Sequence, residues 1–223
     1  MSRVLVVAVH PDDETLGCAG TLLKHKDQGD EIYWMIITSI RNHPNGYPIS
    51  VVEKRDQTIK AVADAYGFNG VVELNIPTTL VDKSDLGLLV SKAGKSIDDI
   101  KPDVVYLMHE HDVHSDHRVS FAAIYSCLKS FRHPYVKRIY SFESLSETEF
   151  AVATASNTFI PNVFVDITDY IDKKLGIMSM YDTELMEEPY PRSLSSIKSL
   201  ARVRGSRAGV MYAEAFQLLY EKR

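Results

Sequence analysis

The apolar positions alternate between short unbroken runs and longer stretches with helical spacing. Val4-Leu5-Val6-Val7-Ala8-Val9 is an uninterrupted run rich in β-branched residues, the pattern of a strand buried on both faces of a parallel sheet. Leu16, Ala19, Leu22 and Leu23 then recur at helical intervals, which predicts a helix stopping at Gly29. The same alternation continues. Residues 32–40 read as a buried strand, and Val52, Arg55, Ile59, Val62, Ala63 and Tyr66 as a helical stripe closed by Gly67. Residues 71–76 read as a strand, 86–100 as a helix with Leu89, Ala93, Ile97 and Ile100 facing inward, and 103–108 as another strand. A helix carrying Val119, Ala122, Ala123 and Tyr125 follows, then strands at 139–142 and 163–167. Ile171, Leu175, Met178, Tyr181, Asp182 and Leu185 continue at helical spacing, and 186–191, with two prolines, is a loop. Residues 211–220 fit either a short strand or a last helix.

Strands that alternate with helices predict an α/β fold, here a Rossmann-like three-layer α/β/α sandwich with a mostly parallel sheet and right-handed crossovers. The 223 residues, 45% hydrophobic, suit one domain spanning 1–223, with no repeat, low-complexity tract or linker to divide them.

In such a sheet, ligands bind beyond the carboxyl ends of the strands, and two of those ends are dense in polar groups. The first strand runs into His10-Pro11-Asp12-Asp13-Glu14. Pro11 separates the imidazole from the acid pair, so His10 and one carboxylate can converge on a single ion while the other points elsewhere. Three adjacent acids repel one another unless a cation or a helix N-terminus holds them ionised. Asp also favours helix starts as a cap, but capping leaves the second cluster unexplained. In His109-Glu110-His111-Asp112-Val113-His114-Ser115-Asp116-His117, four of the eight histidines sit within nine residues. A catalytic zinc site needs three N/O ligands and an open position. His10 and Asp13 are two candidates, and the third comes from this second cluster.

These residues resemble the PIG-L or LmbE-like zinc-dependent N-deacetylases, which remove acetyl groups from N-acetylglucosamine-type sugars and related amides. The resemblance lies in His10 to Glu14, in His114-Ser115-Asp116-His117, in Asn162-Val163-Phe164-Val165-Asp166-Ile167-Thr168 followed by a helix with Lys173, and in Tyr212-Ala213-Glu214-Ala215-Phe216. It implies one zinc per chain on His10, Asp13 and His117, with Asp12 as general base and His114 as the acid or oxyanion partner. It also implies that Asp116 orients a histidine and that Arg55 reaches the substrate, an N-acetylated sugar or its conjugate. Two positions depart from the pattern: Thr58 where the family often has glutamate, and Thr78 where many sugar deacetylases have a hydroxyl-binding aspartate.

Composition narrows the alternatives. A net charge of −5 and a pI near 5.9 give no broad positive field, so nucleic acid is not an expected partner. No apolar run approaches the roughly 18 residues of a membrane span. Cys18 and Cys127 stand far apart and alone, as reduced buried thiols do, which suits a cytoplasmic protein. Assembly into a homo-oligomer stays open. Arg202, Arg204 and Arg207 read either as a solvated surface or as an anion contact, and His109 and His111 as loop histidines outside the matched positions. A phosphoesterase with two metals about 3.5–4 Å apart would need more ligands than these. A non-catalytic nucleotide- or sugar-binding module is the remaining alternative. Gly17 and Gly20 fall short of a dinucleotide fingerprint, and the acids of the turn would repel a pyrophosphate.

Overall fold

The computed structural model describes residues 1–41 and 43–223; Asn42 lies outside the described residues, in a stretch from Arg41 to Pro48 whose turn formers read as a loop over the site. Seven strands form one sheet: β1 (Arg3–Ala8), β2 (Glu31–Ser39), β3 (Gly70–Pro77), β4 (Val104–Leu107), β5 (Arg138–Phe142), β6 (Val163–Asp166) and β7 (Ala213–Glu221). Their order is β3-β2-β1-β4-β5-β7-β6. The first five are parallel, whereas β7 runs antiparallel to both β5 and β6. Among the described residues six α-helices accompany them: α1 (Asp13–Asp27), α2 (Ile49–Tyr66), α3 (Leu86–Ile100), α4 (Ser115–Cys127), α5 (Ile171–Met178) and α6 (Leu194–Ala208). None is long and apolar enough to cross a membrane.

β1 is the spine of the core. Val4 to Val9 have no exposed surface, as a strand covered by helices on both faces requires. The chain leaves β1 toward β2 on one side and leaves β4 toward β5 on the other, so the direction of winding reverses between β1 and β4. A crevice opens there beyond the strand ends, and both polar clusters emerge into it.

Several elements differ from the pattern reading. The inward face of α4 carries His117, Ser120, Phe121, Ile124 and Cys127, while Ala122 and Tyr125 face solvent. α5 stops at Met178, leaving Tyr181 and Leu185 in the irregular segment that follows. α6 runs through Gly205, which sequence suggests as a turn. A Cβ at Gly205 would lie 2.7 Å from the Met211 carbonyl oxygen, so glycine serves a close approach there, and the turn comes at Gly209 with φ 75°. Residues 211–220 resolve into a strand, β7.

α1 is fixed to the sheet by a buried polar clamp. Glu214 on β7 accepts from the Gly20 and Thr21 backbone N–H groups at 2.9 and 2.8 Å, from Thr21 Oγ1 at 2.7 Å and from Lys174 Nζ at 2.7 Å. Lys174 also donates to the Leu16 carbonyl at 2.8 Å. The neighbouring Lys173 is exposed, so Lys174 is the lysine that ties α5 into the core. Because removing one partner leaves the other charged and unpaired, Lys174→Met should cost about 3–5 kcal/mol in urea unfolding. Lys173→Met should stay within about 0.5 kcal/mol. Similar losses in both variants would show that the clamp does not anchor α1.

Candidate metal centre

The turn after β1 gives its three acids three directions. Asp13 folds back over the strand end, where Oδ2 accepts from the Val9 and His10 backbone N–H groups at 2.9 and 2.8 Å. Glu14 points inward, accepting from Tyr181 Oη at 2.7 Å, Thr15 Oγ1 at 2.5 Å and the Asp12 backbone N–H at 3.1 Å. Burial raises its pKa to about 7 against the pull of the Thr15 and Tyr181 hydrogen bonds. Asp12 turns toward the crevice on a strained backbone, φ 147° and ψ −27°.

The turn after β4 brings the second cluster alongside. His117 Nε2 lies 3.4 Å from Asp13 Oδ2 and 3.4 Å from His10 Nδ1. The three donor atoms all fall within 4.8 Å of one another. A tetrahedral site with bonds of about 2.0–2.1 Å has edges of about 3.4 Å, so two imidazoles and a carboxylate here fit a divalent ion with a position left open. The far nitrogen of each histidine faces a carboxylate: His117 Nδ1 is 2.8 Å from Asp112 Oδ2, and His10 Nε2 is 3.3 Å from Asp116 Oδ2. Such partners fix the ring and its tautomer. Asp112 is itself held by Thr148 Oγ1 at 2.6 Å.

A second set, His10, His114 and Asp116, also meets the distance test and shares His10 with the first. Asp116 accepts from the Thr79 and Val81 backbone N–H groups at 2.6 and 3.2 Å. His114, the N-cap residue of α4, accepts the Asp116 N–H at Nδ1. That bond leaves the proton of a neutral His114 on Nε2, making it a donor.

The charges are tuned by crowding. Burial, with Asp13, Glu184 and Glu14 close by, raises the Asp12 pKa well above the usual carboxylate range, and Arg192 opposes the rise. Burial and then His10 hold His114 below its ordinary value. Burial alone would lower His117, but Asp13 and the Asp112 hydrogen bond outweigh it and raise its pKa to about 9. Without a metal, His117 therefore carries a proton at neutral pH.

A cavity of about 360 Å³ opens over this cluster, lined by His10, Asp12, Asp13, His114, Arg55 and Thr78 among others. Of the site residues expected from sequence, His10, Asp12, Asp13, His114 and Arg55 line it, while Asp116 and His117 do not but each contacts His10. Arg55 is held by Glu184, with Nη2 2.6 Å from Oε1. Thr58 hydrogen-bonds the Lys54 carbonyl along its own helix. His109 is turned away onto the Asn157 carbonyl, and Arg204 pairs with Glu143 outside the cavity. Sequence reasoning passed over Asp112, Glu147, Glu184 and Arg192. Asp112 had a signal, lying five residues before His117 in the histidine-rich turn, whereas the other three sit in irregular segments with no local pattern.

The family model described as PIG-L: GlcNAc-PI de-N-acetylase matches residues 5–128. The diacetylchitobiose deacetylase of Thermococcus kodakarensis is 24% identical over 238 residues, covering 98% of this chain and 84% of that protein. A probable N-acetyl-alpha-D-glucosaminyl L-malate deacetylase 2 of Bacillus anthracis is 23% identical over 82% of this chain and 81% of its own. Among solved structures, the 4-carboxy-2-hydroxymuconate hydratase GalB of Pseudomonas putida superposes with a TM-score of 0.76 at 17% identity, over 100% of this chain and 98% of that one. The fold thus serves more than one reaction, and side chains must decide between them.

Two outcomes follow from the geometry. Ion uptake by metal-free protein at pH 7 should release about one proton, because His117 must lose the one it holds below pH 9. Calorimetry in buffers of different ionisation enthalpy reads this, and uptake without proton release would contradict the His117 assignment. Asp112→Ala should weaken metal affinity about 10- to 100-fold by freeing the His117 ring. Unchanged affinity would make Asp112 a bystander.

Proposed function

The chain belongs to the PIG-L, GlcNAc-PI de-N-acetylase, family, and from that premise we propose that it is a hydrolase that removes an acetyl group from an N-acetylated sugar of the N-acetylglucosamine type, or a conjugate of one, with one zinc ion. The observation that carries this reading is the adjacency of two carboxylates with different tasks. Asp13 shares the three-donor cluster with His10 and His117, while Asp12 stands beside it, buried, with no hydrogen bond to its carboxylate among the described residues and a raised pKa.

Zinc held by His10, Asp13 and His117 would supply Lewis-acid polarisation of the acetyl carbonyl and lower the pKa of the attacking water. Asp12 takes the proton from that water, and its raised pKa improves it as a base at neutral pH. The neutral His114 donates its Nε2 proton as a hydrogen bond to the oxyanion of the tetrahedral adduct, a contribution of about 10²–10³ in rate. Sequence suggests a protonated His114, but its Nδ1 contact and lowered pKa favour the neutral donor. The protonated Asp12 then returns its proton to the departing amine. Asp116 and Asp112 hold the rings of His10 and His117, and Arg55 meets the substrate at the cavity wall.

Both candidate donor sets draw on His10, which argues for one metal over two, and so against the phosphoesterase. Zinc analysis should find about one ion per chain in the wild type and in Asp12→Asn, with acetate release falling by about 10²–10⁴ in the latter. His117→Ala should lose the ion itself. Metal loss in Asp12→Asn would exchange the roles of Asp12 and Asp13. A panel of N-acetyl sugars, sugar conjugates, N-acetyl amines and a phosphoester tests the reaction, and phosphate release without acetate would sink the deacetylase reading.

A further inference from the structure

The segment between α5 and α6 places a second arginine at the cavity, and its environment differs from that of every other enclosed guanidinium. Arg192 Nη1 lies 3.6 Å from Asp12 Oδ2 and 3.6 Å from Glu184 Oε2, charge contacts too long to be hydrogen bonds. Its Nε is fully buried and has no partner among the described residues. By contrast, Arg55 bonds Glu184 at 2.6 Å and Arg204 grips Glu143 through two nitrogens at 2.8 and 2.6 Å. Arg192 is only 21% exposed, yet among the described residues its guanidinium donates no hydrogen bond. A largely enclosed group with five donors and no acceptor is a place where the missing acceptor arrives with a ligand.

The charges select the acceptor. Around this point stand two carboxylates, Asp12 and Glu184, and two guanidinium groups, Arg55 and Arg192. A carboxylate or phosphate drawn to Arg192 would face both acids at close range. A neutral hydroxyl meets no such repulsion, since its oxygen accepts from Arg192 while its proton is donated to Glu184. Arg192 also adjoins Asp12, the group that works at the scissile amide, so the hydroxyl it meets belongs next to the amide-bearing carbon.

Resting on the deacetylase reading above, we propose that Arg192 and Glu184 form a hydroxyl-reading subsite that binds the ring hydroxyl adjacent to the acetamido carbon, and that this pair sets specificity for a neutral sugar ring over other N-acetyl amines. Glu184 accepts the hydroxyl proton through Oε2 while Oε1 stays on Arg55. Arg192 is a substrate-binding residue in this scheme and takes no part in proton transfer.

The experiment compares the methyl glycoside of N-acetylglucosamine with its 3-deoxy analogue on the zinc-loaded protein. Wild type should favour the hydroxylated compound in kcat/KM by about 10- to 100-fold, and Arg192→Met and Glu184→Gln should each reduce that preference to less than about threefold with zinc content unchanged. Because Asp12 serves both compounds, any disturbance of the base cancels in the ratio. A preference that survives both substitutions, or that wild type never shows, overturns the subsite. If Arg192→Met fails to fold, Arg192→Lys, which keeps the charge and loses the planar fork, should also narrow the ratio. If wild type releases acetate from neither compound, the deacetylase reading fails for them and binding is measured instead by ligand-observed NMR. Discrimination in wild type that is lost in Arg192→Met would then uphold the subsite, and equal or absent binding would overturn it.

Discussion

Five carboxylates are buried where β1 and β4 end: Asp12, Asp13, Glu14, Asp112 and Asp116, none more than 4% exposed. An ionised carboxylate out of water is costly unless hydrogen bonds or counter-charges replace its hydration. The surrounding structure is arranged to meet that requirement. Asp13 takes two backbone N–H groups from the end of β1, and Asp116 takes two from the 79–81 segment. Asp112 takes His117 and Thr148. Glu14 accepts from the Tyr181 and Thr15 hydroxyls, and burial raises its pKa to about 7. The Asp12 carboxylate has no hydrogen bond among the described residues, only the Arg192 charge at 3.6 Å, and the pKa that burial raises suits the proton-accepting role proposed for it.

This explains why three acids in a row are compatible with one turn. Asp12 adopts a positive φ that non-glycine residues avoid, at a cost of about 1–3 kcal/mol. The conformation is held from both sides, with the Asp12 N–H on Glu14 Oε2 and the Asp12 carbonyl accepting from Thr15 and Leu16. With the backbone set, the side chains diverge into crevice, strand end and core. The strained backbone thus accompanies an arrangement in which the proposed base and the proposed ligand are adjacent but point apart.

The parts legible in sequence are those whose cause is local. The β-branched run of β1, the stripe of α2 with its left-handed Gly67, and the apolar face of α3 each follow from a period and a terminator. The grouping of His10, Asp13 and His117 was implied by the family resemblance, and two strand ends at a reversal of winding bring their turns together. What escaped depends on distant partners. Gly205 reads as a break until the Met211 carbonyl is seen against it. The polar Lys174 becomes part of the core only once Glu214 and the Leu16 carbonyl surround it. The helical spacing that runs on through Tyr181 and Leu185 is not realised beyond Met178, and nothing in the 179–193 sequence places Glu184 and Arg192 beside Asp12.

The same contrast separates chemistry from recognition. The groups proposed to hold the metal and move protons grow from strand ends and from the first turns of α1 and α4, where all but the Asp12 carboxylate are braced by backbone or by a second carboxylate. Altering one unsettles its neighbours, since each brace serves a buried charge. The groups proposed to meet the sugar come from α2 and the 179–193 segment, and they touch the acid cluster only through Arg192, at a distance longer than a hydrogen bond. Substitution of Arg55 reshapes the cavity wall without removing a partner of a buried carboxylate, since its partner Glu184 is partly exposed, whereas Arg192 is the counter-charge that faces Asp12. A sheet of this kind can therefore keep one arrangement of acids while its irregular segments change what the acids act upon.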